Sequence, residues 1–294
     1  MNKTLKTIFR DLTLKTLEKL STYEKVEKLN SIGLINTCLV DEILKFNYEN
    51  KIGLYRIPTN LLPFPTHPSA VEWDWREIFR PCFEHTGKLA RDLGIKISFH
   101  ADEYTIINSI NETVFENSAK TLSYLSDVLD FMDVNGRIVI HIGGVYGDKN
   151  NSIKRFKSNF NKLPDNVKKK LIAENDDKQY DWKDVLEISK ELYIPMVLDI
   201  HHYKVNNIHE PLTTKDIKEI FSTWKDKKPK IHLSSPQNNK DSKAHAEYIN
   251  IKDFLWFFNI AKDFDYDIMV EAKAKELAAL KFREDLKTVN IIFN

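Results

Sequence analysis

Short apolar runs in this sequence repeatedly end in a residue that can bind a metal ion or move a proton. The clearest run is Val197–His202, where valine and leucine are followed by an aspartate and, after one isoleucine, by two histidines. Five other runs end in histidine or glutamate: Lys96–His100, Arg137–His141, Leu171–Glu174, Lys230–His232 and Asp267–Glu271. A buried strand needs the apolar residues but not the polar ones, so the repeated pattern predicts a functional site.

The side chains at these endings offer nitrogen and oxygen ligands. Imidazole and carboxylate together suit Zn²⁺, Mn²⁺ or Fe²⁺, whereas Mg²⁺ alone prefers an all-oxygen shell. The candidate metal ligands at or near the endings are His100, His141, Glu174, Asp199, His202, His232, His245 and Glu271. This set is too large for one ion but suits two or three, an arrangement that stabilises the attacking and leaving oxygens in phosphodiester hydrolysis.

Strand and helix patterns alternate along the chain, which predicts a parallel sheet with right-handed crossovers. The predicted strands are Leu54–Ile57, Ile95–Phe99, Arg137–Ile142, Leu171–Glu174, Pro195–Leu198, Lys230–Leu233 and Tyr266–Glu271. The fold class that follows is α/β, a TIM (β/α)8-type barrel, in which catalytic groups sit at the carboxyl ends of the strands. The barrel needs one more strand, so either a strand hides in Thr7–Thr13 or the chain starts after the first one.

Helix and loop patterns occupy the segments between these strands. The predicted helices are Leu14–Asn30, Ile32–Asn47, Trp75–Leu93, Glu112–Met132, Ser152–Lys170, Trp182–Leu192, Thr214–Trp224, Ile251–Lys262 and Lys275–Leu286. The proline-rich loop Asn60–Pro68 carries His67, which fits either the surface or an active site. Gly143–Gly147 is either a flexible loop or a place where the backbone approaches a phosphate.

Composition narrows the class of protein. We expect a single domain over residues 1–294, beginning with a basic, helical part over residues 1–50. The net charge of +1 argues against nonspecific coating of nucleic acid, although a local basic patch can still bind phosphate. The only cysteines are Cys38 and Cys82, without a C-x-x-C pair, so neither a disulfide framework nor a thiolate zinc site is implied. No membrane span or signal peptide is recognisable, and we expect a monomeric, cytoplasmic protein.

Three functions are compatible with the candidate ligands. The first is a metal-dependent phosphodiesterase or nuclease, and the second is a sugar isomerase or epimerase on a similar barrel. The third is a noncatalytic metal-binding or scaffold protein, for which so many ligands at the strand ends would be wasteful. The number of ligand-type histidines favours phosphate chemistry over sugar isomerisation.

Eight motifs, in order along the chain from Leu54 to Leu286, resemble the UV damage endonucleases. They are YRIPTNLLPFPTHP (Tyr55–Pro68), SFHADEYT (Ser98–Thr105), IHIGGVYGDK (Ile140–Lys149), IAENDDKQY (Ile172–Tyr180), LDIHHY (Leu198–Tyr203), KIHLSSP (Lys230–Pro236), SKAHAEY (Ser242–Tyr248) and MVEAKAKE (Met269–Glu276). The apurinic-site nucleases of the endonuclease IV type and the xylose isomerases share the barrel but lack the ENDDK and HLSSP signatures.

The resemblance implies a DNA-repair hydrolase that nicks damaged double-stranded DNA immediately 5′ of ultraviolet photoproducts by metal-activated water. These photoproducts are cyclobutane pyrimidine dimers and 6-4 photoproducts. It implies two or three divalent ions, Mn²⁺ first and Zn²⁺, Co²⁺ or Mg²⁺ as alternatives, held by the eight candidate ligands. An apurinic-site endonuclease, or a sugar isomerase or epimerase on the same barrel, is the alternative.

The resemblance also assigns roles to residues beside the metal ligands. His67 would lie near the scissile phosphate, and Lys230 would carry a carboxyl group that adds an oxygen ligand or a negative charge. An ordinary Lys230, salt-bridged to Glu271 or Asp199, is the other interpretation. Backbone contacts to DNA would come from the basic segment: Lys154, Arg155, Lys157 and Lys168–Lys170.

The chain departs from the family pattern in two places. Glu103 and Tyr104 occupy the positions that probe the damaged dinucleotide, but the family usually has glutamine at the first. A carboxylate cannot donate a hydrogen bond and is repelled by phosphate, so weaker or altered damage recognition is expected. The opening strand of the family is not recognisable either, so the barrel is expected to lack or replace it.

Overall fold

Seven short strands form the sheet of this protein, whose structure is a computed structural model describing residues 2–70, 73–206, 211–238 and 243–291. The strands are β1 (Leu54–Arg56), β2 (Lys96–His100), β3 (Arg137–His141), β4 (Leu171–Glu174), β5 (Met196–Asp199), β6 (Lys230–Leu233) and β7 (Asp267–Val270). They follow one another in sequence order, and the pairs β1–β2, β4–β5, β5–β6 and β6–β7 are parallel. Every predicted strand is present, with each end within one residue of its predicted position.

Helices connect consecutive strands, as the alternating pattern predicts. The described α-helices are α1 (Leu14–Leu17), α2 (Thr22–Glu49), α3 (Trp75–Asp92), α4 (Glu112–Phe131), α5 (Lys149–Lys162), α6 (Asp165–Lys168), α7 (Trp182–Leu192), α8 (Ile200–Val205), α9 (Thr214–Ser222), α10 (Ile251–Ala261) and α11 (Glu276–Thr288). Among them, no helix has both the length and the apolar character that crossing a membrane requires.

The N-terminal helices differ from the prediction. Separate helices over Leu14–Asn30 and Ile32–Asn47 are wrong, because α2 continues through this boundary. A capping box starts α2: the Ser21 hydroxyl accepts the Glu24 N–H, and the Glu24 carboxylate accepts the Ser21 N–H. The strand considered for Thr7–Thr13 is absent from these described residues, and Thr7 makes only an isolated bridge with Asn2.

The basic segment predicted as one helix over Ser152–Lys170 is two helices. The first, α5, begins earlier, at Lys149, and ends at Lys162, and the second, α6, is a single turn after Pro164. Proline lacks an N–H and disfavours helical geometry in the residue before it, so the chain cannot continue α5 through this point.

The chain separates into two compact units. The first comprises residues 1–105, 111–138 and 163–170, and the second comprises residues 106–110, 139–162 and 171–294. Strand β3 contributes to both, whereas β4 to β7 belong to the second unit. A single domain over residues 1–294 stays a prediction.

A cluster of buried apolar side chains in the second unit precedes the polar strand ends. It contains Val139, Ile172, Val197 and Trp224. The first three each lie two residues before a candidate ligand on the same strand, and side chains two apart in a strand share a face. On each of these strands, one face therefore carries a core residue and, two residues later, a candidate ligand.

Candidate metal centre

Four side chains of the second unit converge at the carboxyl ends of their strands. They are Glu174 at the end of β4, Asp199 at the end of β5, His232 in β6 and Glu271 directly after β7. One ligand atom from each lies within 4.8 Å of those of the other three. Glu174, Asp199 and His232 are fully buried. The prediction that buried His, Asp and Glu side chains gather where an ion could bind is therefore confirmed, while the role of each residue stays a prediction.

The His232 imidazole connects two of the carboxylates. Its Nδ1 atom is 2.6 Å from Glu174 Oε1 and 3.0 Å from Glu271 Oε1. The second oxygen of Glu174, Oε2, is 3.7 Å from His141 Nε2. Glu174 thus faces imidazoles from two strands, β3 and β6, which is the arrangement expected of a carboxylate between two ions.

The two carboxylate oxygens of Asp199 have different surroundings. Oδ1 accepts the backbone N–H groups of His201 and His202 at 2.7 and 2.8 Å, and so caps the start of α8. Oδ2 is buried and accepts no hydrogen bond from the described residues; His202 Nδ1 lies 3.9 Å away. Buried polar atoms rarely lack a partner, so the Oδ2 atom of Asp199 is suited to bind a cation.

Asn175 positions Asp199; it lies in the ENDDK signature, but no role was predicted for it. Its side-chain Nδ2–H donates to the Asp199 carbonyl at 3.0 Å, and its Oδ1 accepts the Asp199 N–H at 2.9 Å. Asn175 is buried, and its own carbonyl lies 2.9 Å from His202 Nδ1. One residue therefore fixes the backbone of one candidate ligand and the ring of another. Its place in the ENDDK signature, directly after Glu174, is the sequence signal that could have found it.

The pKa values of two neighbouring histidines, His201 and His202, are shifted in opposite directions. Burial alone would lower the pKa of His202, but the charges of Asp199, Glu174 and Glu271 and the hydrogen bond to the Asn175 carbonyl raise it to about 9. For His201, burial outweighs the attraction of Asp199, and its pKa is lowered. The raised pKa of His202 reports the concentrated negative charge at this site.

His245 approaches the site from the loop after β6. Its ring centroid is 5.5 Å from that of His201 and 6.4 Å from that of His202. His245 is held by an isolated bridge to Pro236. Residues 239–242, part of the predicted polar loop Ser234–His245, lie outside the described residues.

Lys230 is buried within β6, with only 6% of its surface exposed. It lies two residues before His232, so strand alternation places both side chains on the same face of the sheet. A buried lysine on the face that carries the ligands is the placement that the predicted carboxylation needs. The carboxylation itself stays a prediction.

Four predicted site residues lie in the first unit: His67, His100, Glu103 and Tyr104. His100 ends β2, is half-buried, and its Nδ1 lies 2.8 Å from the Ala101 carbonyl. His67 is half-buried and its Nδ1 accepts the Ser69 N–H at 3.1 Å. Their predicted roles, metal ligand and phosphate neighbour, stay predictions.

Glu103 and Tyr104 sit on an exposed turn that Asp102 stabilises. The Asp102 carboxylate accepts the Tyr104 N–H at 3.0 Å and the Thr105 hydroxyl at 3.2 Å. Tyr104 is 78% exposed. The turn therefore holds an aromatic ring and a carboxylate out in solvent, where a ligand could contact both.

The glycine loop after β3 is held by side chains and is not a loose segment. Gly143 has φ +107, and a Cβ there would lie 2.3 Å from Asn108 Oδ1. The Gly144 carbonyl accepts Asn108 Nδ2–H at 2.8 Å and the Tyr180 hydroxyl at 3.0 Å. Arg155 Nε–H donates to the Asn108 carbonyl at 2.6 Å, so this candidate DNA contact also supports the loop. Because Gly143 has no side chain, its backbone can lie close to the Asn108 side chain.

The other basic residues predicted to contact DNA are partly engaged in ion pairs. Lys157 pairs with Glu191 at 2.6 Å, Lys168 with Asp165 at 2.8 Å and Lys170 with Asp130 at 2.8 Å. The three lysines are half-buried while their carboxylate partners are exposed, and pairs at the surface contribute little to stability, so a phosphate could still compete for the lysines.

Comparison with known proteins identifies relatives over nearly the whole chain. A family described as UV-endonuclease UvdE matches residues 1–294. A UV DNA damage endonuclease of Bacillus cereus (strain 03BB102) is 36% identical over 286 residues, which are 95% of this chain and 90% of the relative.

Solved structures share the fold. The crystal structure of SacUVDE is 34% identical, with a TM-score of 0.88, covering 99% of this chain and 97% of the other. The 3-keto-D-glucoside 4-epimerase YcjR from E. coli is 12% identical, with a TM-score of 0.56, covering 85% of this chain and 93% of the other. The second match concerns the fold alone. The predicted α/β fold of the TIM-barrel type is confirmed, with seven strands in the part of the chain that the structure describes.

The hydrogen bonds of Asn175 generate a prediction. Asn175→Ala leaves the buried N–H and carbonyl of Asp199 without this partner, at about 1–3 kcal/mol for each group. We expect the free energy of unfolding to fall by about 2–4 kcal/mol and the affinity for Mn²⁺ by about 10- to 100-fold, as for other residues that orient ligands. Denaturant unfolding and calorimetric Mn²⁺ titration measure the two effects.

Asn206→Ala is the matched control, because Asn206 makes one side-chain bond, to the Asp176 carbonyl, at the end of α8. It should leave Mn²⁺ affinity nearly unchanged. Equal affinities for the Asn175 variant and the unaltered chain would contradict a positioning role.

Proposed function

The chain belongs to the UV-endonuclease UvdE family of DNA-repair endonucleases, and from that premise we propose that it nicks duplex DNA immediately 5′ of ultraviolet photoproducts with the help of divalent ions. The observation that carries the metal dependence is the buried cluster of three carboxylates and one imidazole within 4.8 Å. Carboxylates this close repel one another unless a cation or proton lies between them.

The donor atoms fit a divalent transition metal. Mixed imidazole and carboxylate ligands suit Mn²⁺, Zn²⁺ or Co²⁺. Asp199 contributes a ligand atom to this cluster, and its buried Oδ2 accepts no hydrogen bond from the described residues. We assign Glu174, Asp199, His232 and Glu271 as ligands, with His100, His141, His202 and His245 completing the set for two or three ions. Mn²⁺ is the ion that we expect in the cell.

The bound ions would supply positive charge to the phosphodiester and lower the pKa of water. The residues of the chain prepare the site for this chemistry. The Asn175 carbonyl accepts a hydrogen bond from His202 Nδ1, which fixes the ring and leaves Nε2 as its ligand atom. Asp199 is held by its cap on α8 and by Asn175, so its Oδ2 needs no rearrangement to bind an ion.

A nicking assay tests this function. The substrate is a duplex with one cyclobutane pyrimidine dimer, incubated with and without Mn²⁺. We expect a single Mn²⁺-dependent cut immediately 5′ of the lesion. Asp199→Asn removes a ligand and should lower the rate by at least about 100-fold, because loss of a residue that merely orients a ligand typically costs 10- to 100-fold.

Asp253→Asn is the matched control, since Asp253 pairs with Lys204 on α8, on the surface. It should retain the nicking rate. The proposal would be contradicted by cleavage of an abasic-site duplex alone. It would also be contradicted if a chain that retains its metal cleaves neither duplex.

We propose that Lys230 is carboxylated. A carbamate on this buried lysine would place a further oxygen ligand on the sheet face of His232, and burial would protect it from hydrolysis. Chain equilibrated with isotope-labelled bicarbonate should show a carbamate carbon signal by NMR, and Lys230→Ala should abolish the signal. Its appearance in the variant, or its absence from the unaltered chain, would refute carboxylation at this lysine.

We propose that the turn carrying Glu103 and Tyr104 contacts the lesion. An exposed aromatic ring can stack on an unstacked base, typically for about 1–3 kcal/mol per base, whereas the Glu103 carboxylate repels phosphate. Tyr104→Ala should therefore weaken binding to damaged duplex by about 5- to 100-fold. Glu103→Gln should strengthen it. Fluorescence anisotropy with a metal-free chain measures both effects.

Tyr23→Ala is the matched control for Tyr104, because Tyr23 is similarly exposed, at 73%, on the first turn of α2. It should bind damaged duplex like the unaltered chain. Unchanged binding by the Glu103 variant would remove the idea that this carboxylate limits damage recognition.

A further inference from the structure

The glycine loop between β3 and α5 carries an exposed tyrosine in an unfavourable backbone conformation. Tyr146 has φ +51 and is 43% exposed. A left-handed φ is strained for a bulky side chain, and residues held this way are concentrated at functional sites. Tyr193 has a similar φ of +57, but it ends α7, and a left-handed residue is a common helix ending. Tyr146 lies between a strand and a helix, so helix termination does not explain its conformation.

Two neighbours hold the Tyr146 side chain in place. A Cβ on Gly144 would lie 2.9 Å from two atoms of the ring, so the absence of a side chain at Gly144 lets the ring pack against the backbone. The Arg155 guanidinium lies over the same ring, with its Cζ 5.2 Å from the ring centroid, which is a cation–π contact. The Tyr146 hydroxyl makes no hydrogen bond with the described residues. The ring is therefore fixed while its hydroxyl stays available to a ligand.

Arg155 is half-buried and has only neutral partners among the described residues. Its Nε–H donates to the Asn108 carbonyl at 2.6 Å, and its Nη2–H donates to the Ser152 hydroxyl at 3.1 Å. The Ser152 hydroxyl in turn donates to the Val145 carbonyl, which ties α5 to the glycine loop. These bonds fix the guanidinium and leave its Nη1 group without a partner among the described residues.

The absence of an ion pair distinguishes Arg155 from its neighbours on α5. Lys149 and Lys157 each pair with a carboxylate, at 2.5 and 2.6 Å. Asp148, at the end of the glycine loop, accepts hydrogen bonds from Asn151 with both of its carboxylate oxygens. Arg155 forms no ion pair with a described carboxylate, so its charge remains available to an anion. A guanidinium is well suited to phosphate, because it donates several hydrogen bonds from one plane.

The glycine loop is attached to the strand ends that carry candidate ligands of the second unit. It follows His141 at the end of β3, and His141 Nε2 lies 3.7 Å from Glu174 Oε2. The Gly144 carbonyl accepts the Tyr180 hydroxyl at 3.0 Å, and the Tyr180 carbonyl accepts the Asp176 N–H at 3.0 Å. Because Asp176 comes two residues after Glu174, the loops after β3 and β4 are joined beside the metal centre.

We propose that the Tyr146 hydroxyl and the Arg155 guanidinium together bind one backbone phosphate that flanks the cleavage site in DNA. The proposal rests on the proposed function and adds to it a phosphate subsite separate from the candidate metal ligands. The two groups offer a neutral donor and a charged donor, and a phosphate accepts from both. Phosphates carry no sequence information, so this subsite would position the duplex without selecting bases.

The salt dependence of DNA binding separates the two contacts. The full chain with its divalent ions is titrated onto an undamaged duplex, which the proposed activity leaves uncut, at several salt concentrations. Arg155→Gln removes a cationic contact, so the slope of log K against log salt should fall in magnitude by about 0.9. Arg155→Lys keeps the charge and should keep the slope. Tyr146→Phe removes a neutral donor, so affinity should fall about tenfold at each salt concentration with the slope unchanged.

Nicking kinetics on the damaged duplex provide a second measurement. A contact that is equal in the bound substrate and the transition state affects KM and not kcat. Tyr146→Phe should therefore raise KM about tenfold at unchanged kcat. If the unaltered chain does not nick damaged DNA, the proposed function fails, and the salt slopes still decide whether the phosphate subsite exists.

Tyr193→Phe and Lys225→Gln are the matched controls. Lys225 Nζ lies 6.0 Å from the ring centroid of Tyr193, and both residues have positive φ, but this pair follows helices α7 and α9 where the chain leads into strands. Both controls should keep the affinity, and Lys225→Gln should lower the slope by much less than Arg155→Gln.

The proposal would be overturned if Arg155→Gln kept the slope, or if Tyr146→Phe bound and nicked like the unaltered chain. Equal slope changes in Arg155→Gln and Lys225→Gln would also overturn it, because they would show a diffuse effect of charge. Denaturant unfolding identifies an Arg155 variant that fails to fold. In that case Tyr146→Phe decides, because it removes only an exposed hydroxyl.

Discussion

The concentration of buried negative charge at the ends of β4, β5 and β7 is the constraint on which the second unit depends. Glu174 and Asp199 are fully buried, and ligand atoms of both lie within 4.8 Å of one from Glu271. Such an arrangement is unfavourable in isolation, because buried charges lose hydration and like charges repel. It persists only where apolar packing supplies stability, and the apolar side chains of Val139, Ile172 and Val197 lie on β3, β4 and β5, each two residues before a candidate ligand. The raised pKa of His202 is a second consequence of the same charge.

Backbone hydrogen bonds make this site rigid before any ligand arrives. Asp199 is both the last residue of β5 and the cap of α8, so the helix begins where the strand ends. Asn175 fastens the same residue to the end of β4 through both its donor and its acceptor. The carboxylate is therefore positioned by two elements at once. Preorganisation of this kind is what a catalytic centre needs, because no binding energy is spent on ordering the ligands.

The sequence predicts the parts of this protein that follow from local pattern. Strand positions and the polar residues at their ends were predictable because apolar runs and their terminators are local, and parallel strands gather their carboxyl ends on one side. The role of Asn175 was not predictable, because it depends on a contact between its side chain and the backbone of Asp199 on the next strand. The helix boundary predicted at Ser31 was wrong because the buried face of α2 continues through it at helical spacing, with Leu29, Ile32 and Asn36 all buried.

The ligand chemistry of the strand-end cluster sets which ions it would take. Carboxylates and imidazoles are harder donors than thiolates and accept Mn²⁺. Affinity for divalent ions generally increases from Mn²⁺ to Zn²⁺ whatever the ligands, so a cluster of oxygen and nitrogen donors also binds Zn²⁺ when that ion is available. The ion bound after purification therefore need not be the ion that the cluster holds in the cell.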